Sequence, residues 1–150
     1  MGSDVRQIAK QYVQTVWNEG RLDRLEEFID PGFIDHESTF PFSARGADGL
    51  RRVLLFFRTA FPDVHWTIED MVAEGCKVAM RFTARGTHRG SVVGFPGTGR
   101  RITVTGTTIF RIENARLVEA WTHWDTLGLL QQLGVADPTE VRLSVPPAGG

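Results

Sequence analysis

The chain has 150 residues, 41% of them hydrophobic, with 10 Phe and 4 Trp, which is the make-up of one globular domain able to bury a core without staples. A formal charge of −1 leaves no basic surplus to hold nucleic acid or an acidic membrane, and the single Cys76 excludes an intrachain disulfide. No stretch is apolar over the ~20 residues a bilayer requires, and the N-terminus lacks a charged segment followed by an apolar run, so cytoplasmic residence is expected.

Val5, Ile8, Ala9, Tyr12, Val13 and Val16 recur at helical spacing and predict an amphipathic helix over residues 4–18, stopped at Gly20. Leu22, Leu25, Phe28 and Ile29 predict a second, shorter helix that ends before the turn Asp30-Pro31-Gly32. A short strand is expected at 33–36. The irregular segment 37–45 that follows carries Phe40, Pro41 and Phe42, too apolar for a solvated loop, and is expected to fold over something. Leu50, Val53, Leu54, Phe57, Ala60 and Phe61 mark a third helix, entered near Gly46 and Asp48 and closed by Phe61-Pro62-Asp63.

From there the period changes to two. Residues 65–72 read as a strand, Gly75 as a turn, and Val78, Met80, Phe82 and Ala84 alternate with Lys77, Arg81 and Arg85 on the next strand. His88 shares the parity of Met80 and Phe82. The run GSVVGFPGTG, 90–99, is a long connection into a strand at 101–112, and a turn at 113–115 leads to the last strand. Helices first, hairpin-connected strands next and a final helix predict a segregated α+β fold: a curved antiparallel sheet packed on helices, forming a cone with a single pocket. Residues 1–135 form the expected domain and 136–150 a C-terminal tail.

The run LVEAWTHWDTLGLLQQLG, 117–134, changes from strand to helix periodicity at its middle. Leu117, Glu119, Trp121, His123 and Asp125 fall on one strand face, and after Asp125 the apolar spacing becomes helical up to Gly134. Side chains two residues apart on a strand lie about 6.5–7 Å apart. Trp121, His123 and Asp125 are therefore expected to converge on one small molecule, with Asp125 as a general base beside indole walls and His123 as a second catalytic candidate that protonates the alkoxide. Asp is also a preferred N-cap for a helix starting at Thr126, and the spacing admits both roles. Further candidates for binding are His36 and His88, chosen by parity and residue type, with Phe40 of the apolar segment and Phe57 of the third helix, whose rings suit a flat ligand.

Other signals are weaker. The four His, at 36, 65, 88 and 123, show no zinc-ligand spacing, so no metal is expected. Gly94, Gly97 and Gly99 precede a strand rather than a helix and lack the Lys-Ser/Thr pair of a phosphate loop. Arg85, Arg89, Arg100 and Arg101 read as a solvated sheet face, and no Ser sits in a GxSxG context.

Over residues 7–134 the series VWNEG, FIDH, FPDV, GTHRG, GTGRRITVTG and WTHWDTLGLLQQLG resembles the SnoaL-like polyketide (ester) cyclases of the nuclear-transport-factor-like, cystatin-like cone superfamily. The resemblance implies a cofactor-free intramolecular aldol condensation that closes a ring of an aromatic polyketide ester, with an Asp near the end of the final strand as acid/base; Asp125 is the matching position. It also implies a small hydrophobic aromatic substrate and a homodimer or higher homo-oligomer, while the charge and hydropathy lead to the expectation of no nucleic acid or membrane partner. Two other readings of the same scaffold are an accessory component of an anthracycline-type polyketide hydroxylase and a non-catalytic ligand-binding dimeric module in which Asp125 only caps its helix.

Overall fold

A computed structural model of the protein describes residues 2–36, 44–92 and 94–134. Helix α1 (Gly2–Tyr12) buries Val5, Ala9 and Tyr12 on one stripe, then widens into a π-helical stretch, Val13–Asn18, in which the amide of Glu19 reaches back to the carbonyl of Gln14. The wider turn brings Val16 and Trp17 inward together. Asn18 then pins the far edge of the sheet: its side-chain amide donates to the carbonyl of Trp66 at 3.0 Å and its carbonyl accepts from the Trp66 amide at 2.7 Å. The second predicted helix is a 3₁₀ turn, Leu22–Glu27, with Leu25 buried.

Strand β1 (Ile29–Asp35), the short β2 (Ala44–Arg45), β3 (His65–Glu74), β4 (Lys77–Thr87), β5 (Arg101–Glu113) and β6 (Arg116–Trp124) form one six-stranded sheet in the order β2-β1-β6-β5-β4-β3. Helix α2 (Gly46–Ala60) packs across it, and α3 (Thr126–Gln132) closes one end. The sheet is mixed rather than wholly antiparallel, because β1 enters beside β6 in parallel. Long hairpins of β3, β4, β5 and β6 supply the rest, with Lys77 to Thr87 paired residue by residue against Arg111 to Arg101.

One irregularity decides which side chains face inward. Arg111 pairs with Glu119 while its neighbour Ile112 pairs with Leu117, so Val118 is an extra residue in β6, a β-bulge. The bulge reverses the alternation expected from Leu117. Leu117 is buried, but beyond it the inward positions are Ala120, Thr122 and Trp124, while Glu119, Trp121 and His123 turn to the outer face.

Between helices and sheet the core falls into two clusters. One gathers Tyr12, Val16, Phe33, Leu54, Met80 and Leu117; the other gathers Phe61, Val64, Val92, Ile102, Val104 and Leu129. Phe57 and Trp66 touch both. Asp63, after α2, fastens the end of β4 by accepting from the Thr87 amide and hydroxyl, both at 2.7 Å. Desolvation alone would raise its pKa; the Thr87 bonds outweigh it and hold the carboxyl below the ordinary aspartate value. No helix among the described residues is long and apolar enough to cross a membrane. The expected tail, 136–150, lies outside the described residues.

Candidate active site

The space between the two clusters is a cavity enclosing about 820 Å³ of atom-free volume, the open mouth included. Its walls are aromatic because the elements that meet there present aromatic residues inward. Trp66 stacks on Phe82 at 3.8 Å between ring centroids, Trp17 stacks on Trp66 at 4.5 Å, and Phe57 meets Trp124 edge-on at 5.8 Å. Gly106 makes room for this wall: a Cβ there would lie 2.6 Å from the Phe82 ring and 2.9 Å from Cβ of Trp124. A flat apolar ligand fits such a slot better than a sugar or a phosphate.

Polar groups in the lining are few. Asp35 is the one carboxylate among the described lining residues, accompanied by the hydroxyls of Tyr12, Thr108 and Thr122. Asp35 has the parity of buried Phe33 on β1, and its backbone pairs with Ala120, an inward position of β6. Thr122 lies two residues further along β6, a backbone separation from Asp35 of about 8 Å given a strand spacing of about 4.8 Å and a rise of about 3.3 Å. Thr122 faces Thr108 across the β5–β6 ladder, and their hydroxyls are 2.8 Å apart. Tyr12 accepts a hydrogen bond from the Trp17 indole at 3.2 Å. Burial above all, with the charge of Asp35 adding to it, pushes the Tyr12 phenol well above its ordinary pKa and keeps it a protonated donor, although the Trp17 bond works the other way.

The residues expected to form the site distribute differently. Phe57 lines the cavity. Asp125 does not: it is exposed, and its carboxylate caps α3 by accepting from the Gly128 amide at 2.9 Å. Gly128 permits this, since a Cβ there would sit 2.1 Å from a carboxylate oxygen of Asp125. Trp121 and His123, moved to the outer face by the bulge at Val118, are not part of the lining either. His36 joins Trp121 on that outer face, its ring stacked on the indole at 5.0 Å and its Nε2 2.7 Å from a Glu119 oxygen. Glu119 also accepts from Arg111 at 2.7 Å, and these two partners, His36 foremost, hold its carboxyl below the ordinary range.

His88 is fully buried but outside the lining. Its Nδ1 accepts from the Thr98 amide at 3.2 Å, which assigns the ring proton to Nε2, and Nε2 has no partner among the described residues. It fastens the base of the 90–99 connection. Phe40 lies outside the described residues. No group of three or more His, Cys, Asp or Glu among the described residues is placed to hold a metal ion.

Residue parity alone did not single out Asp35, Tyr12, Thr108 and Thr122 as the polar set. The available signals were Asp35 sharing a face with Phe33 in FIDH, and Thr108 at an inward parity between Val104 and Phe110 in TVTGTTIF.

Helices laid across one sheet face around an aromatic-walled cavity with a small polar group define an α+β cone with an internal pocket. The sequence profile of the SnoaL-like polyketide cyclases matches residues 7–133, and the chain belongs to that family. It is 28% identical over 141 residues to the aklanonic acid methyl ester cyclase DnrD of Streptomyces peucetius, over 90% of this chain and 91% of that one. Among solved structures it is similar to TsrD from Streptomyces laurentii, with a TM-score of 0.78 and 30% identity over 89% of this chain and 97% of that one. IdmH from Streptomyces antibioticus gives a TM-score of 0.75 and 33% identity over 87% of this chain and 99% of that one.

Proposed function

We propose that the protein closes a ring of an aromatic polyketide ester by a cofactor-free intramolecular aldol condensation, with Asp35 in the acid/base role. The observation that carries this reading is that Asp35 supplies the one carboxylate of the described cavity lining, in a family of polyketide cyclases. The similarity to an aklanonic acid methyl ester cyclase supports an ester substrate of that kind.

A carbon between an ester and a ketone gives up its proton readily, because the electron pair left behind spreads onto both carbonyl oxygens and the conjugated rings. Asp35 takes that proton. The enolate carbon adds to a ketone carbon of the same molecule, and the alkoxide formed takes the proton back, so the product is an isomer of the substrate. Acid/base help of this kind contributes about 10²–10⁴-fold, and holding two reacting carbons together in a shaped cavity contributes as much or more.

The experiment is incubation of the purified protein with an aromatic polyketide methyl ester in anaerobic buffer without added cofactor. The expected product has unchanged mass and one more ring. A product one oxygen atom heavier, formed only in air with a reductase, would instead support the hydroxylase reading and contradict this one.

The working unit we propose is a homodimer formed through the outer sheet face. There the register aligns Val72, Ala79, Ile109 and Trp121 in one apolar row across β3, β4, β5 and β6.

A further inference from the structure

The Thr108–Thr122 pair is not needed to explain the fold. Both side chains face the cavity, Thr108 is 1% exposed, and the surrounding inward positions, Val104, Phe110, Ala120 and Trp124, offer aliphatic or aromatic surface. Two hydroxyls carry two protons, and their mutual bond at 2.8 Å uses only one. Among the described residues neither hydroxyl has another hydrogen-bond partner. One O–H donor is thus left over on a part-buried, mostly apolar stretch of the wall, where a ligand oxygen would supply its acceptor.

We infer that the Thr108–Thr122 hydroxyl pair is an oxyanion-holding donor, giving its spare proton as a hydrogen bond to a carbonyl oxygen of the bound ligand. The inference rests on the cyclase reading for its chemical meaning. When Asp35 takes the C–H proton, the electron pair of that bond moves through the enolate onto the carbonyl oxygen, and the spare O–H stabilises the charge gathering there. No proton leaves the pair. Thr122 lies on β6, the neighbour of β1, two residues along from Ala120, the backbone partner of Asp35, so base and donor stand on adjacent strands of the same cavity floor. A donor that is itself polarised by a second hydroxyl is stronger than an isolated one, and it brings no charge into the aromatic slot.

The test uses the double variant Thr108→Val/Thr122→Val, which replaces both partners by apolar groups of the same shape and leaves no orphaned hydroxyl, with Thr108→Ser/Thr122→Ser as the conservative control. Two readouts are taken. The first is the infrared carbonyl stretch of bound 9,10-anthraquinone, a flat diketone that does not react. It is expected at lower frequency in the wild type and the Ser variant than in apolar solvent, with the lowering lost in the Val variant. The second is ring closure of the polyketide ester, where kcat is expected to fall about 10²-fold in the Val variant with KM within about 3-fold, and to be retained with Ser. An unshifted stretch in the wild type, or a Val variant that keeps both the shift and kcat, would overturn the inference even if ring closure proceeds. A shift lost in the Val variant, in a protein that closes no ring, would sustain the donor and remove the cyclase reading instead.

Discussion

At position 125 a single carboxylate has two candidate occupations, and local geometry shows it in one of them, the helix cap. Its oxygen is 2.9 Å from the Gly128 amide, one of the orphan donors of the first turn of α3, and Gly128 leaves the space for it. The group is exposed and engaged as a helix cap, and the acid/base role is proposed for Asp35 instead. Asp125→Ala is therefore expected to cost about 1 kcal/mol, a fall in Tm of about 2–4 °C for a domain of this size, with ring closure within about 2-fold of wild type. A calorimetric scan and one rate measurement check this; unchanged Tm with lost turnover would contradict it. Asp35, by contrast, was legible only as a residue sharing the parity of Phe33. Its inward setting depends on the parallel pairing of β1 with β6, which no local pattern specifies.

The elements themselves were readable because their periods are strong. The apolar stripes of α1 and α2, the alternation of β4 and the switch to α3 after residue 124 all reappear within a few residues of expectation. The face of β6 was not readable. One extra residue at Val118 inverts every side chain after it, so that Ala120, Thr122 and Trp124 form the cavity floor while Trp121 and His123 leave it. Bulges carry no composition signal strong enough to overrule simple alternation. The same inversion completes the apolar row on the outer face, where Val72 is 66% and Ile109 38% exposed. A second copy would cover that row. Light scattering at micromolar concentration is expected to give twice the chain mass, and Ile109→Glu to give a monomer with an unchanged circular dichroism spectrum. A monomeric wild type would contradict the dimer.

For the whole molecule, the α+β cone and its family were legible from the order of motifs along nearly the full chain, whereas the cavity's polar set was not. That set comes from four elements distant in sequence, the end of α1, β1, β5 and β6, brought together by a mixed sheet and one bulge. The aromatic walls were foreshadowed by the abundance of Phe and Trp, yet Trp17 and Trp66 reach the cavity through a π-helical turn and an edge strand held by Asn18. The central claim is that the cavity holding Asp35 is where ring closure takes place. Its most direct measurement is the rate of ring closure of an aromatic polyketide methyl ester by Asp35→Asn and Asp125→Asn side by side with wild type. Asp35→Asn is expected to lose about 10²–10⁴-fold in kcat and Asp125→Asn to stay within a few-fold of wild type, both variants remaining folded. A fully active Asp35→Asn protein beside an inactive Asp125→Asn protein would contradict the account.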